Sequence, residues 1–182
     1  NTEMKRNLLI VTMVLCSLSV LGQENMFTLS GGYVFTNIED VDESATGFRI
    51  NGLYEFNPGS GMVAHGLSFG WLQTKASTSG ADYTVSSFPL YYAPKVIFGQ
   101  GSLKAFLKGA LGTHYSNLKR TGSLGEIDTW DFGFYGGASL GAMASINEKV
   151  FINAEYEWAY LSNSAFRDGF VNTIMGGIGI RF

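Results

Sequence analysis

The feature that most constrains the fold of this chain is a period-two alternation of apolar residues, repeated in runs of about ten residues. In the first run, Phe27, Leu29, Gly31, Tyr33 and Phe35 alternate with small or polar residues. Because successive side chains of a β-strand point to opposite faces, such a run predicts a strand with one apolar and one small or polar face. No run after the N-terminal region approaches the roughly 18 apolar residues that a membrane-spanning helix needs.

Eight such runs predict an all-β fold. They cover residues 27–36, 48–56, 65–72, 82–92, 103–112, 130–140, 150–160 and 170–182. The apolar parity of the fourth run changes near Ser86 and Ser87, just before Pro89, which predicts a β-bulge. Short connections (57–61, 94–101, 145–148) alternate with longer, polar ones (37–44, 74–81, 116–128, 162–169). This organisation predicts an eight-stranded antiparallel up-and-down β-barrel.

The polar face decides which side of the barrel looks inward. It carries four positive and four negative residues, and we predict that they form a luminal charge network: Arg49, Glu55, Lys104, Lys108, Asp131, Glu155, Glu157 and Arg181. A closed interior requires balanced charges, since an unpaired buried charge is costly. A solvated polar face would not need the 24 glycines of this chain. The pattern therefore favours a barrel with its apolar face outward, although a secreted soluble barrel that binds an apolar ligand remains an alternative.

The aromatic residues of the apolar face concentrate near the strand ends. Amphipathic rings prefer the membrane–water interface, so we predict two aromatic girdles. The interface residues are Phe27, Phe48, Tyr54, Trp71, Trp130, Trp158, Tyr160 and Phe170.

The last run carries a family resemblance. Ile178, Ile180 and the terminal Phe182 resemble the C-terminal signature of bacterial outer-membrane β-barrels. The whole chain after the leader is similar to small eight-stranded proteins of the OmpA-barrel and OmpX type, which belong to a broad porin-like family, and SLKAFLKGALGTHYSN resembles their central strands. The resemblance implies a transmembrane barrel in the Gram-negative outer membrane. Its implied partners are outer-membrane lipid and lipopolysaccharide, the barrel-assembly machinery that would read this last strand, and an extracellular ligand held by the loops.

A separate leader precedes the barrel. Met4, Lys5 and Arg6 form a basic start, residues 8–21 form an apolar run, and Gly22 fits a cleavage site. We predict a signal peptide from Met4 to Gly22 within a leader of residues 1–22, followed by the barrel domain at residues 23–182. A membrane anchor or a core helix is the alternative. The only cysteine, Cys16, lies in the leader, so the mature chain uses no disulfide.

One short motif raises the question of catalysis. His114 and Ser116 in HYSN resemble a segment of outer-membrane lipid A deacylases, where a histidine, a serine and an acid form a hydrolase triad. The acid here would be Glu126 or Asp128. Strand parity places His114 and Ser116 on the same face as Lys108, hence in the lumen, whereas a site that cleaves lipid must face lipid. We therefore expect no enzymatic activity.

No cofactor, metal or nucleic-acid partner is expected. The net charge is −3 without a basic cluster, which disfavours nucleic acid. Besides His114 the only histidine is His65, on the apolar face, and no cluster of Cys, His and carboxylate residues has the spacing of metal ligands. The acidic run that begins at Glu39 and ends at Glu43 is either a calcium site or, more commonly for such runs, a solvated loop.

These features predict an integral outer-membrane barrel with a structural or surface-interaction role. The alternatives are a narrow pore for small solutes or ions, and the lipid A hydrolase built on His114 and Ser116. The interior of an eight-stranded barrel is just filled by side chains, which disfavours a wide pore. Closure at eight strands leaves no free edge, so we expect a monomer.

Overall fold

The structure of the chain is a computed structural model, which describes residues 25–38, 44–56, 62–78, 80–122, 125–162 and 166–182. The predicted leader at residues 1–22 and the acidic run at residues 39–43 lie outside the described residues. The described part of the chain contains no helix long and apolar enough to cross a membrane.

Nine β-segments form one antiparallel sheet. They are β1 (Asn25–Ile38), β2 (Ser44–Phe56), β3 (Val63–Ser77), β4 (Ala81–Tyr92), β5 (Lys95–Phe98), β6 (Leu103–Gly122), β7 (Gly125–Ser145), β8 (Val150–Leu161) and β9 (Phe166–Arg181). Segments adjacent in the barrel pair in antiparallel fashion, and β1 also pairs with β9, which closes the sheet. Because β4 and β5 both lie between β3 and β6, the barrel has eight strand positions. The predicted eight-stranded up-and-down barrel is confirmed.

The fourth strand differs from its prediction. Its register with β3 and β6 is constant along β4, so the bulge predicted at Ser86 and Ser87 is wrong. The parity of the apolar pattern changes because Tyr83 and Val85 are apolar residues that face the interior, where both are buried.

The real break in this strand is at Ala93 and Pro94, and it does not end the strand. The N–H of Ala93 still donates to the carbonyl of Gly66, and β5 continues at the register of β4. Proline has no N–H to donate, so the ladder is interrupted only locally. The prediction of a connection over residues 94–101 is therefore wrong in its first half.

A second difference concerns the connection predicted at residues 116–128. Most of it is strand, because β6 extends to Gly122 and β7 begins at Gly125, and the two pair continuously. In this stretch, charged and polar residues occupy most of the positions that apolar residues take in the other strands. The sequence therefore resembles that of a loop. We call this extension, residues 117–130, the β6–β7 hairpin.

The apolar face points outward. Large apolar side chains are exposed all around the barrel, with Leu103 at 66% and Leu140 at 64% of their full accessibility. The inward positions of the same strands hold small, polar or charged residues, such as Ser68, Ser139 and Arg49. This arrangement is the inverse of a soluble barrel, whose apolar residues face inward.

The strands are strongly staggered. We start at Met26 and move from each residue to its hydrogen-bonded ladder partner on the next strand. After one circuit of the barrel this path reaches β1 again at Thr36, ten residues further along the strand. Such a shear tilts the strands and sets an interior that side chains can fill.

The two rims differ. At the turn rim the main chains of Asn25 and Phe182 pair with each other, and tight turns join β5 to β6 and β7 to β8. At the opposite loop rim, β7 pairs with β8 only from Tyr135 onward. Within the described ranges, β7 from Gly125 to Phe134 has a strand partner on one side only.

Two adjacent glycines of β9 test the assignment of the two faces. A Cβ at Gly176 would lie outward, 3.8 Å from the nearest atom, whereas one at Gly177 would lie 2.7 Å from the carbonyl oxygen of Leu29 and 2.5 Å from Asn153 Oδ1. We expect Gly176→Ala to leave stability unchanged and Gly177→Ala to lower the free energy of unfolding by about 1–3 kcal/mol through overpacking. Urea unfolding in lipid vesicles, read as the faster-migrating folded band of unheated gel samples, measures both. Equal stability of the two variants would contradict the assignment.

Candidate functional site

A buried network of charged groups occupies the middle of the barrel interior. Arg49 Nη1 lies 2.5 Å from Glu157 Oε1, and Lys108 Nζ lies 2.8 Å from Glu155 Oε1 and 3.7 Å from Glu157 Oε2. All four side chains are at most 3% exposed. They come from β2, β6 and β8, and alternation alone turns each of them inward. Two cations and two carboxylates thus neutralise each other where water is excluded.

Two tyrosines complete this network. The guanidinium of Arg49 donates to the hydroxyls of Tyr91 and Tyr135, each at 2.9 Å, and the Tyr135 hydroxyl donates to Glu157. The two rings stack with centroids 4.8 Å apart. Asn51 Oδ1 accepts from Arg49 at 3.3 Å and from Ser68 at 3.1 Å. Such hydrogen bonds satisfy both Nη atoms of Arg49, whereas its buried Nε has no hydrogen-bond partner among the described residues.

A separate ion pair lies nearer the turn rim. Lys95 Nζ is 2.6 Å from Glu55 Oε1 and 4.8 Å from the centre of the Phe106 ring. The sequence pattern places Glu55 in the lumen but does not indicate Lys95, because Pro94 predicts the start of a turn. The signal that would have found Lys95 is the unbroken parity of the inward-facing positions before it, at residues 89, 91 and 93.

Apolar clusters close the interior on both sides of the charged network. The turn-side cluster consists of Met26, Phe106, Met143 and Phe151. The larger loop-side cluster includes Val34, Leu72, Val85, Leu161, Phe166 and Val171. The described part of the interior is therefore filled by side chains from one end to the other.

The other three residues of the predicted network lie apart from it. Arg181 donates to the Glu148 carbonyl at 3.3 Å and to Ser145 Oγ at 3.0 Å, and covers the Phe151 ring at 4.8 Å. Lys104 and Asp131 are partly exposed, and neither has an ion pair with another described residue.

The residues of the hydrolase alternative are only partly brought together. His114 Nδ1 and Ser116 Oγ are 2.7 Å apart, and Ser116 donates to Ser87 Oγ at 2.8 Å. These groups are buried on the lumen side. Asp128 instead accepts from Asn117 and lies 3.6 Å from Lys119 Nζ on the outside of the hairpin, and Glu126 is exposed. The structure thus contains a histidine–serine pair that faces away from lipid and is joined by neither Glu126 nor Asp128; the carboxylate opposite Ser116 in the ladder is that of Asp131, for which the described contacts include no hydrogen bond to His114.

The aromatic residues predicted for the interface face outward and pair with one another. Phe48 meets Trp71 edge to face at 5.0 Å, Trp130 stacks on Tyr115 at 4.8 Å, and Trp158 stacks on Phe170 at 4.8 Å. Tyr160 also contacts Phe170, while Phe27 and Tyr54 lie near the turn rim, where Tyr54 meets Phe182. Ile178, Ile180 and Phe182 are exposed on the same outer surface.

The β6–β7 hairpin is held by contacts of its own. The Lys119–Asp128 pair bridges its two strands, and the Arg120 guanidinium lies 5.5 Å from the centre of the Tyr83 ring on β4. Among the described residues, the last hydrogen bonds from β7 toward the β8 side are those of Phe134, whose N–H donates to Ser162 Oγ at 2.7 Å and whose carbonyl accepts from the Ser162 N–H at 3.0 Å.

A closed barrel with an apolar exterior, a charged interior and outward aromatic residues defines the class of transmembrane β-barrels. Within this class, the chain belongs to the family described as outer membrane protein beta-barrel domain, whose family model matches residues 8–182. The chain is thus an outer-membrane protein.

Solved structures show the same fold. Neisserial surface protein A is 14% identical, with a TM-score of 0.67 over 87% of this chain and 97% of that one. Ail, the attachment invasion locus protein of Yersinia pestis, is 20% identical, with a TM-score of 0.56 over 87% of this chain and 99% of that one. The N-terminal β-barrel domain of Pseudomonas aeruginosa OprF is 12% identical, with a TM-score of 0.52 over 88% and 98%. Comparison with curated protein sequences gives no match.

The Lys95–Glu55 pair offers a clean test of interior charge balance, because within the described part of the chain it shares no ion pair with the central network. Glu55→Gln leaves a buried ammonium unpaired, and we expect the free energy of unfolding to fall by about 3–5 kcal/mol. The double variant Glu55→Leu, Lys95→Met removes both charges, and we expect it to unfold within about 1 kcal/mol of the unaltered chain. Urea titration in vesicles gives both values. A double variant as unstable as Glu55→Gln would show that the loss of stability does not come from leaving the Lys95 charge unpaired.

Proposed function

We propose that this protein is an outer-membrane barrel with a surface-interaction role, in which the barrel anchors the β6–β7 hairpin and presents it beyond the loop rim. The observation that carries the proposal is the filled interior. Arg49, Lys108, Glu155 and Glu157 are buried and mutually neutralised, and apolar clusters lie on either side of them. What the molecule offers to other molecules is then its outer surface and its loop rim.

The names of two similar barrels agree with this role. One is called a surface protein, and the other an attachment invasion locus protein. At 14% and 20% identity they share the fold with this chain, and the role itself is inferred from the filled interior.

The remaining features of the proposal concern biogenesis and surroundings. We infer that the segment from Met4 to Gly22 is a cleaved signal peptide, that Ile178, Ile180 and Phe182 are read by the barrel-assembly machinery, and that the mature barrel is a monomer. The exposed apolar belt would contact outer-membrane lipid and lipopolysaccharide, with the loop rim outside the cell.

The two alternatives are weaker on geometric grounds. A pore needs a continuous polar path, which the loop-side and turn-side clusters interrupt. A lipid A hydrolase needs an acid beside His114 and a nucleophile open to lipid, and Ser116 is 3% exposed on the lumen side.

Conductance distinguishes an anchor from a pore. Because the interior is filled, we expect the purified barrel in planar bilayers to give no current steps above those of the bare bilayer. Steps of fixed size that disappear with Arg49→Ala would contradict the proposal and support the narrow pore.

Shortening the hairpin tests the surface role. Leu118 and Thr129 are partners in the ladder, so residues 119–128 can be replaced by an Asn-Gly turn that keeps the β6–β7 ladder from Leu118 downward and removes the β6 partners of residues 81–84 at the end of β4. We expect the folded gel band to persist, while adherence of bacteria displaying the chain to cultured animal cells or to each other falls to that of bacteria without it. The control variant Glu148→Ala, Lys149→Ala removes two exposed charges at the turn rim and should adhere normally. Adherence that survives the shortening would overturn the assignment of the role to this hairpin.

A further inference from the structure

An apolar groove crosses the lipid-facing surface of β1, β9, β8, β7 and β6, and we call it the outer groove. Its floor is a row of ladder partners, one from each strand: Gly31, Gly176, Ala154, Ala142 and Ala105. All five residues are exposed. A Cβ added at Gly31 or at Gly176 would lie 3.8 Å from the nearest atom of another strand, so the floor is open on its outer side.

Large exposed side chains form a wall on each side of this floor. The outward positions next to the floor lie two residues away on every strand. Toward the loop rim these positions hold Tyr33, Ile174, Tyr156, Leu140 and Leu107. Toward the turn rim they hold Leu29, Ile178, Ile152 and Leu103, and the wall is low only at Ala144, between the last two.

The outer groove widens into a cavity where the wall is low. The cavity has a volume of about 190 Å³, and Leu103, Ala142, Ala144, Ile152 and Ala154 contribute to its lining. An apolar cavity of about 150 Å³ holds a molecule of the size of benzene, so this space has room for several methylene groups. An empty space here would cost the dispersion contacts of its lining.

The dimensions of the outer groove match one hydrocarbon chain. Five strands at a spacing of about 4.8 Å give a floor about 19 Å long. Since transmembrane strands tilt by about 40°, this floor climbs by about 12 Å. The hydrocarbon of one leaflet is about 15 Å thick. The floor is one residue wide on every strand, so it takes a single chain that runs from the turn rim toward the middle of the membrane.

The end of the outer groove at the turn rim lies beside a lysine. Lys104 stands between Leu103 and Ala105, is partly exposed, and has no ion pair with another described residue. Alternation starts its side chain toward the lumen, but Lys104 is the second residue of β6, so its four-carbon stem ends at the rim. Lysines in this position extend their ammonium group to the lipid headgroups.

A second copy of the chain fits the outer groove poorly. Two barrels that stand side by side in the same orientation present rows that incline in opposite directions where they meet. With an inclination of about 40°, the two grooves would cross at about 80°. A wall of one copy could then enter the groove of the other only at the crossing point, whereas a flexible chain follows the groove along its whole length.

We propose that the outer groove binds one acyl chain of a phospholipid and that Lys104 contacts the phosphate of the same lipid. The proposal goes beyond the surface role of the hairpin. The choice of a phospholipid over lipopolysaccharide rests on the orientation given above, in which the turn rim lies in the periplasmic leaflet. The groove itself requires only that its occupant be a single flexible apolar chain.

Native mass spectrometry of the complete barrel, released from nanodiscs of dimyristoylphosphatidylglycerol, counts the lipids that stay bound. We expect one lipid per barrel to remain at collision energies that remove all others. The double variant Ala142→Leu, Ala154→Leu fills the floor, and we expect its retained fraction to fall about ten-fold, because the leucine side chains displace methylene groups of the lipid. The matched control Ala138→Leu adds the same side chain at an exposed position of β7 outside the groove, and should retain the lipid.

The contribution of the headgroup is tested separately. We expect Lys104→Gln to lower the retention of phosphatidylglycerol about three-fold, the effect of one exposed ion pair. Lys75→Gln removes an exposed charge near the loop rim and should have no effect. Diacylglycerol of the same chain length has no phosphate, and the unaltered chain and Lys104→Gln should retain it equally.

Three results would overturn the proposal. The first is an unaltered, folded barrel that retains no lipid at any collision energy. The second is equal loss of lipid from Ala138→Leu and from the groove variant, since the loss would then not come from the groove. The third is a dimer of the unaltered chain that the groove variant abolishes, because the occupant would then be a second copy. The adherence assay on the shortened hairpin is unaffected by all three.

Discussion

The constraint on which this structure depends is that lipid offers no hydrogen bonds. Every backbone N–H and carbonyl in the membrane must find a partner within the protein, so a sheet can cross only if it closes on itself. The pairing of β1 with β9 closes the sheet. The strand formed by β4 and β5 shows that backbone pairing is kept even next to a proline. Even where Pro94 lacks an N–H, its carbonyl accepts from Gly109 at 2.8 Å and the register continues unchanged.

Closure in turn sets the chemistry of the interior. With the apolar side chains facing lipid, the inward positions must fill a narrow space, and the central ones hold Arg49, Lys108, Glu155 and Glu157. Burying such groups is costly unless every charge is paired and every remaining donor is bonded. The tyrosine hydroxyls and Asn51 bond both Nη atoms of Arg49, and its Nε has no hydrogen-bond partner among the described residues. The same residues that neutralise the interior also block it. The filled lumen is the reason why the loop rim, and not a pore, carries the proposed function.

The sequence predicted the barrel because alternation with period two is imposed directly by strand geometry and by lipid. It also predicted which residues turn inward, since parity is local. It could not predict which charges meet, because register is set by pairing between distant strands: Arg49 reaches Glu157, 108 positions away in sequence. Parity also says nothing about depth, which is why Lys104 and Arg181 share a face with Lys108 but not its partners. The predictions failed where a local rule was ambiguous, at the inward Tyr83 and Val85, at Lys95 after a proline, and in the polar strands of the hairpin.

The unequal heights of the strands at the loop rim have an evolutionary consequence. Beyond the loop rim, β6 is the only described strand that pairs with β7, and the outer face of β7 contributes nothing to closure or to the buried network. Substitutions there change the stability of a small local unit and leave the cooperative unit of the barrel intact. The sequence of the hairpin can therefore change residue by residue while the sequence of the barrel stays constant, and under the proposed surface role the same membrane anchor would then serve successive partners.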